Sequence, residues 1–413
     1  MSRHTVLSER AWINWHEGPL GAHIDAFTAW LEDQGYARFT VRYFVRLAAD
    51  LSRWLARQGL GLADLQPARV EAFAQIREKI GCLRPGDTRM LQRLLGFLQS
   101  MGAVDPPCPP PVQATPIDRL CADFARYLRE ERGLSDATLK NYLPSIQRFL
   151  SWRFGAGPLC LETLDGGNVS AFVLEQTHQF RASRVKLVVT ALRSFLRFGF
   201  VDGIIGTDLS RCVPTVPLWR LRGLPRALAS QQIEQVLAHC DRTTAVGKRD
   251  YAVLVLLARL GLRAGEVAAL RLDDLHWRKA EILVHGKGAS CDGLPLTREV
   301  GEALVDYLAH GRPKCASRAL FLRAKAPLQG LVGAMAVCTL VKRALERAGL
   351  DPPSKGAHQF RHGLACSMLR QGGTLEQIGE ILRHRHADTT TLYAKVDLPR
   401  LRPLAAPWPG GAA

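Results

Sequence analysis

Six residues in the second half of the chain have the chemical types that phosphoryl transfer to a tyrosine needs. They lie in the order Arg263, Lys287, His358, Arg361, His384 and Tyr393. Guanidinium groups grip phosphate oxygens with two parallel N–H bonds. A histidine moves protons, and an activated tyrosine attacks as a nucleophile. The set predicts cutting and rejoining of a DNA strand through a phosphotyrosine, with no metal or nucleotide cofactor.

The two arginines and the lysine are candidates for binding the phosphate in its pentavalent transition state. Arg263 is followed one turn later by Glu266, which is placed to hold its guanidinium. Lys287 lies in the glycine-rich turn of a predicted hairpin, so its ammonium can protonate the departing 5′ oxygen. Arg361 follows His358 by three residues, which places both on one helical face.

The histidines and the tyrosine divide the remaining work. A free phenol has a pKa near 10, so Tyr393 attacks well only when its proton is removed, and His358 is the predicted acceptor. His384 is expected to donate a hydrogen bond to a non-bridging oxygen. His362 is expected to point elsewhere on the helix, in a structural role. No third ligand of suitable spacing accompanies His384 and His386, so a metal site is not expected.

Three sequence boxes around these residues resemble those of the tyrosine recombinase (phage integrase) family. They read LGLRAGEV at residues 260–267, HQFRHGLA at 358–365 and LRHRHADTTTLY at 382–393. The resemblance covers about residues 115–397. The chain departs from the family pattern at Ser290 and Asp292, where basic residues are usual, and at Arg383, where glycine is usual.

The resemblance implies a fold and a mechanism. The implied fold is mainly α with a small β-hairpin or sheet in the catalytic domain (α+β). Two helical SAM-like DNA-binding domains would precede the tyrosine-recombinase catalytic domain. The implied reaction forms a 3′-phosphotyrosyl bond and frees a 5′ hydroxyl, so ATP is unnecessary. A homotetramer would act on two double-stranded DNA sites through a four-way junction, with partner recombinases or accessory DNA-bending proteins as further possibilities.

Composition agrees with a nucleic-acid partner. The chain has 413 residues, a formal net charge of +17 and 47% hydrophobic residues. Such a charge favours a polyanionic partner. The sequence contains no apolar run long enough to span a bilayer and no signal-peptide pattern, so no membrane role is expected. The ten cysteines form no C-x-x-C pair, which favours reduced thiols in a cytoplasmic protein.

Two linkers rich in proline, 103–116 and 212–226, divide the chain. The predicted domains are 1–102, 117–211 and 227–397, followed by a tail at 398–413. The first two resemble a duplication, because similar residues recur at spacings of 98 and 99. At a spacing of 98 the pairs are Gly35 with Gly133, Thr40 with Thr138 and Trp54 with Trp152. At 99 they are Leu62 with Leu161, Leu65 with Leu164, Val70 with Val169 and Phe73 with Phe172. The first domain is therefore a second core-binding domain or an arm-type DNA reader.

Basic residues on the two helical domains are candidates for gripping DNA phosphates. They are Arg42, Arg46, Lys140, Arg148, Arg184, Lys186 and Arg193.

Three alternatives stay open at this point. A type IB topoisomerase would use the same chemistry but rejoin the same strand. A catalytically silent DNA-binding protein could keep the fold, and a helical adaptor could use its basic face to bind acidic proteins. Within the recombinase class, the added N-terminal unit favours a mobile-element enzyme over a resolvase of replicated chromosomes.

Overall fold

The structure is a computed structural model that describes residues 15–106, 115–155, 157–217, 227–286, 291–384, 386 and 389–396. The described residues are mostly helical with one small antiparallel sheet, which confirms the predicted fold class. No helix among them is long and apolar enough to cross a membrane. The predicted tail and most of the predicted linkers lie outside these residues.

The N-terminal region folds into four helices around one apolar core. They are α1 (Ile24–Asp33), α2 (Arg38–Arg57), α3 (Pro67–Lys79) and α4 (Asp87–Ser100). Helix α2 buries Val41, Val45 and Ala48 at helical spacing, while its other face is polar. Pro67 begins α3, where its fixed φ suits a first helical position.

The second region repeats this plan. Its helices are α5 (Pro116–Glu130), α6 (Asp136–Phe154), α7 (Gly166–Gln179) and α8 (Ala182–Val201). Thr115 caps α5 by accepting a hydrogen bond from the Asp118 backbone, and the Asp118 side chain accepts one from the Thr115 backbone. Asp165 caps α7 in a similar way, by accepting from the Asn168 backbone.

Aromatic contacts at matching positions support the predicted duplication. Trp54 and Phe73 have ring centroids 5.6 Å apart, and their counterparts Trp152 and Phe172 are 5.5 Å apart. Phe27 and Phe97 lie at 5.6 Å, and the equivalent pair Phe124 and Phe195 at 5.4 Å. The duplication stays a prediction, which these matching contacts favour.

The region predicted to be catalytic surrounds a helix whose residues 252–258 are all apolar and buried. Its helices are α9 (Ser230–Ala238), α10 (Ala245–Arg259), α11 (Ala264–Ala269), α12 (Arg298–His310), α13 (Gly333–Arg347), α14 (His358–Arg370) and α15 (Leu375–Ile381). Every residue of α10 from Ala252 to Ala258 is buried, so this helix forms the centre of the core. Its end carries the loop that contains Arg263.

The predicted hairpin is part of a three-stranded sheet. The strands are β1 (Leu275–His276), β2 (Glu281–His285) and β3 (Cys291–Pro295), paired antiparallel in that order. Ile282 and Val284 of β2 point into the core and alternate with less buried residues. The sequence analysis did not predict β1, which is too short to show an alternating pattern.

Internal contacts divide the chain into two compact units. Residues 108–223 form one unit, and residues 1–107 and 224–413 together form the other. Within the latter unit, the backbone N–H of Leu328 donates a hydrogen bond of 2.9 Å to the carbonyl of Gln34. The N-terminal helical region is thus grouped with the catalytic region.

Candidate active site

Arg263 and Glu266 form the first part of the site, in the connection between α10 and α11. Arg263 has an extended backbone and immediately precedes α11, the helix that carries Glu266. The buried carboxylate of Glu266 accepts hydrogen bonds from the Arg263 backbone N–H at 2.8 Å and from Nη1 at 2.7 Å. These contacts hold a half-exposed guanidinium in one orientation.

A third arginine, Arg383, contacts the same carboxylate. Its Nη2 donates to Glu266 Oε2 at 2.7 Å, and its side chain is only 10% exposed. Burial alone would raise the pKa of Glu266, but hydrogen bonds from Arg263 and the charges of Arg383 and Arg263 outweigh it and lower that pKa. Two further donors of Arg383, Nε and Nη1, are buried without a hydrogen-bond partner.

The backbone conformation of Arg383 explains why glycine is usual at this position in the family. Its φ is +54°, in the left-handed region that glycine adopts most readily. The turn after α15 thus keeps the left-handed geometry that glycine favours, while adding a guanidinium to the site. Sequence comparison identified the departure but not the ion pair that accompanies it.

Arg361 connects three segments of the catalytic region. Its side chain is buried, with the residue 6% exposed, on α14. Nη1 donates to the carbonyl of Gly261 at 2.5 Å, and Nη2 donates to the carbonyl of Leu382. Burial, followed by repulsion from Arg263, lowers the pKa of Arg361 to about 10, so it stays charged at neutral pH.

Gly261 lets these segments approach one another closely. Its φ is +59°, and a Cβ there would lie 2.8 Å from a methyl carbon of Leu382 and 3.1 Å from one of Leu364. Only glycine fits both the conformation and the contact.

Tyr393 is buried among apolar side chains, and among the described residues its hydroxyl has one hydrogen-bond partner. It lies on the short 3₁₀ turn Thr391–Val396 and is 1% exposed. Its hydroxyl is 2.8 Å from Nδ1 of His362. Burial raises the pKa of Tyr393 to about 12 despite the charge of Arg361, and burial lowers the pKa of His362 to about 4. The phenol therefore keeps its proton at neutral pH.

His384 flanks the other side of the tyrosine. Its ring is nearly parallel to that of Tyr393, with centroids 6.4 Å apart, and Nδ1 is 2.8 Å from the Thr390 hydroxyl. Burial, together with the charges of Arg361 and Arg263, lowers the pKa of His384 to about 4. The imidazole is neutral at pH 7, so it can donate a hydrogen bond without adding a positive charge to the site.

The two histidines of α14 face each other. Their ring centroids are 5.7 Å apart in an edge-to-face arrangement, and Nε2 of His358 lies 3.1 Å from the Ser354 hydroxyl. The expectation that His362 points elsewhere is wrong, because residues four apart share a helical face. That spacing was the signal available in the sequence.

The structure brings most of the predicted catalytic residues together. Four of them surround Glu266 and the end of α15: Arg263, Arg361, His384 and Tyr393. His358 contacts His362, which in turn contacts Tyr393. Lys287 lies outside the described residues. The described residues contain no group of three or more His, Cys, Asp or Glu side chains that could hold a metal ion.

The predicted DNA-gripping residues occupy several environments. Arg42 and Arg46 are exposed on α2, and Lys140 and Lys186 are exposed on α6 and α8. Arg184 is partly buried. The Arg148 guanidinium lies 4.9 Å from the centroid of the Phe180 ring. Arg193 donates to the carbonyl of Val213 at 3.0 Å, which gives it a structural contact as well.

Two sequence profiles match the chain. The profile of the phage integrase family matches residues 226–399, and that of the phage integrase N-terminal SAM-like domain matches residues 121–200. The N-terminal region of four helices precedes both matches.

Curated relatives cover the chain to different extents. The putative integrase/recombinase y4rA of Sinorhizobium fredii is 43% identical over 96% of this chain and 96% of its own length. The tyrosine recombinase XerD of Listeria monocytogenes is 30% identical over 68% of this chain and 96% of its own length. Among solved structures, the XerH site-specific recombinase in a post-cleavage complex has a TM-score of 0.56 at 19% identity, covering 70% of this chain and 84% of that chain.

Proposed function

This chain belongs to the tyrosine recombinase (phage integrase) family, and we propose that it cleaves and rejoins DNA strands at specific sites through a 3′-phosphotyrosyl intermediate. The observation that carries this proposal is the Tyr393 hydroxyl, hydrogen-bonded to His362 beside the Arg361 guanidinium. A nucleophile, a proton acceptor and phosphate ligands are the groups that the reaction requires.

In the proposed reaction, Tyr393 Oη forms a bond to phosphorus as the bond from phosphorus to the 5′ oxygen breaks. The phenol proton passes to a histidine, and the 5′ oxygen takes up a proton. Lys287 is the proposed donor of that proton, on the grounds of its sequence position alone. The 5′ hydroxyl of a partner strand then reverses the step, so the energy of the phosphodiester bond is retained.

We infer that binding of the DNA phosphate prepares His362 to accept the phenol proton. A phosphodiester bound beside Arg361 would place a negative charge near His362 and His384, which raises the pKa of each imidazole. The same charge raises the pKa of the Tyr393 phenol, so the phosphate makes His362 a better proton acceptor without making Tyr393 more acidic.

Glu266 and the three arginines make up what we call the catalytic cluster: Arg263, Arg361, Arg383 and Glu266. Arg263 and Arg361 are the proposed ligands of the non-bridging oxygens, with His384 donating a further hydrogen bond. Glu266 orients Arg263 and Arg383 by accepting a hydrogen bond from each guanidinium. The unpaired buried donors of Arg383 make it an additional candidate phosphate ligand.

Double-stranded DNA is the proposed partner, with a homotetramer on two sites and a four-way junction as intermediate. The relative from Sinorhizobium fredii matches 96% of this chain, whereas the XerD match covers 68% of it. This difference favours a mobile-element recombinase over a chromosomal resolvase. Action on cellular DNA in the cytoplasm, with accessory DNA-bending proteins or partner recombinases, completes the proposal.

A suicide substrate tests the function. The purified chain is mixed with duplex DNA from the ends of its own genetic element, nicked near the crossover so that cleavage cannot reverse. A covalent protein–DNA adduct on a denaturing gel is expected, and Tyr393→Phe should abolish it. Tyr251→Phe is the matched control, because it removes the hydroxyl of a partly buried tyrosine whose ring lies beside Arg242 and not beside the candidate site. An adduct that survives Tyr393→Phe would refute the mechanism.

The same material separates the rival functions. Transfer of the cleaved strand to a second duplex identifies a recombinase, whereas relaxation of supercoils without a defined site identifies a type IB topoisomerase. DNA binding on a footprinted site without any adduct would favour a catalytically silent DNA-binding protein.

A further inference from the structure

Thr390 is a buried polar residue that contacts both His384 and Tyr393. The residue is only 3% exposed. Its side-chain hydroxyl lies 2.8 Å from Nδ1 of His384, and its backbone carbonyl accepts a hydrogen bond of 3.0 Å from the N–H of Tyr393. One residue thus connects the proposed nucleophile to the histidine that is proposed to contact the phosphate.

The surroundings of the Thr390 hydroxyl determine the direction of its hydrogen bond. Among the described residues, this hydroxyl has no hydrogen-bond partner other than His384. A threonine hydroxyl has one hydrogen to donate, and Nδ1 of a neutral imidazole either donates or accepts according to the tautomer. Buried polar hydrogens are nearly always paired, since an unpaired one costs free energy. The hydroxyl therefore donates, and Nδ1 accepts.

This direction places the single ring proton of His384 on Nε2. The imidazole is neutral at pH 7, because burial lowers the pKa of His384 to about 4. When Nδ1 accepts a hydrogen bond, Nε2 is the protonated nitrogen. In the part of the chain that the structure describes, Nε2 has no hydrogen-bond partner. Its N–H is thus available to an oxygen of an incoming ligand, in a ring that also lies close enough to Arg361 and Arg263 to sense their charges.

Helix α15 holds the two side chains together. The backbone N–H of His384 donates a hydrogen bond of 2.9 Å to the carbonyl of Gly379. A Cβ at Gly379 would lie 3.1 Å from the Thr390 hydroxyl oxygen, so the glycine leaves room for Thr390 to pack against the helix. Packing and hydrogen bonding together fix the hydroxyl relative to the imidazole.

The side chain of Thr390 can be tested separately from its backbone. The contact with Tyr393 uses the Thr390 carbonyl, so a change of side chain leaves that hydrogen bond in place. Thr389 offers a comparison at the preceding position. It is exposed, and its hydroxyl forms no hydrogen bond within the described ranges of the chain.

We propose that Thr390 is a positioning residue that fixes the tautomer and ring orientation of His384, so that Nε2–H faces a non-bridging oxygen of the reacting phosphate. Thr390 acts through the imidazole and touches no substrate atom. In the opposite tautomer, the lone pair of Nε2 would face the lone pairs of the oxygen, and the stabilising hydrogen bond would be lost. The proposal rests on the proposed function in taking a phosphodiester as the ligand.

Two variants separate the hydroxyl from the shape of the side chain. Thr390→Val keeps a branched side chain of similar size without the hydroxyl, and Thr390→Ser keeps the hydroxyl. Single-turnover cleavage of the suicide substrate should be about 10-fold slower for the valine variant, a part of the about 10²- to 10³-fold loss that follows removal of a whole transition-state donor. The serine variant should cleave at nearly the unmodified rate, and so should the matched control Thr389→Val. The dissociation constant for DNA should stay the same in all three.

Nitrogen-15 NMR of histidine-labelled protein gives a readout that a role in packing alone would not change. The resonances of His384 are identified by their absence in His384→Gln. At pH 7 the unmodified protein should show a protonated Nε2 and an unprotonated Nδ1 that accepts a hydrogen bond. Thr390→Val should lose the shift that this hydrogen bond imposes on Nδ1, and Thr390→Ser should retain it.

The outcomes keep this proposal apart from the proposed function. A protonated Nδ1 in the unmodified protein would overturn the positioning role, as would a folded Thr390→Ser variant that cleaves as slowly as Thr390→Val, or a valine variant that cleaves at the unmodified rate. Thermal unfolding checks that each variant folds. The NMR measurement needs no activity, so absence of the covalent adduct in the unmodified chain would refute the proposed function and leave the tautomer assignment intact.

Discussion

The catalytic cluster and a groove of the N-terminal region, lined by Arg42, Arg46, Arg77 and Arg84, both contain several arginines, yet they hold the guanidinium groups in opposite ways. In the cluster, Arg361 is 6% exposed and donates to two backbone carbonyls, and Arg383 is tied to Glu266. In the groove, Arg42 and Arg46 are exposed to solvent. Both features lie in the same compact unit.

The difference indicates that one set of arginines positions the reacting phosphate and the other contributes to DNA affinity. A buried and anchored cation acts in a low dielectric, where its effect on developing charge is large and its position is fixed. An exposed cation adds salt-dependent attraction to phosphate with little geometric demand. Substitutions in the catalytic cluster should therefore change the rate of cleavage, and substitutions in the groove should change binding.

The largest effect outside Tyr393 itself is expected at its hydrogen-bond partner. His362→Gln keeps a polar contact but cannot take up the phenol proton, so single-turnover cleavage should fall about 10²- to 10⁴-fold. DNA affinity should stay the same. His358→Gln is the matched control, and a loss confined to that variant would return the proton-acceptor role to His358, as the sequence analysis expected.

Removing a carboxylate should lower the free energy of unfolding more in the catalytic cluster than in the groove. Glu266→Ala leaves Arg383 buried without its counter-ion, which should lower the free energy of unfolding by about 3 to 5 kcal/mol. Asp50→Ala removes a partly exposed ion-pair partner and should cost less than about 1 kcal/mol. Urea unfolding of the full chain measures both. Similar losses of unfolding free energy in the two variants would mean that burial of the ion pair does not set its contribution to stability.

A smaller effect is expected from the left-handed backbone of Arg383. Arg383→Ala and Arg383→Gly both lose the ion pair with Glu266, but only the glycine variant relieves the strain at a φ of +54°. The glycine variant should be more stable than the alanine variant by about 1 kcal/mol. Equal unfolding free energies would show that this backbone conformation carries no strain.

The residue types of the candidate site were predictable because phosphoryl transfer to a tyrosine restricts the side chains that can take part. The helical regions and the hairpin followed from periodicity and turn residues. The regular spacing of Trp54 from Trp152 and of Phe73 from Phe172 predicted a duplication, which stays a prediction. The sequence analysis missed the contact of His362 with Tyr393. His362 follows His358 by four residues, so both lie on one helical face, and that spacing was visible in the sequence. The pairing of Arg383 with Glu266 joins residues far apart in sequence, so only the folded chain shows it.

The most direct test of the account measures cleavage and binding together for two conservative variants, Arg361→Lys and Arg46→Lys. A lysine at 361 keeps the charge but cannot span the carbonyls of Gly261 and Leu382. Its single-turnover cleavage rate should fall about 10²- to 10³-fold while the dissociation constant for DNA stays unchanged. Arg46→Lys should leave cleavage unaltered. Cleavage at the unmodified rate by a folded Arg361→Lys protein would contradict the account.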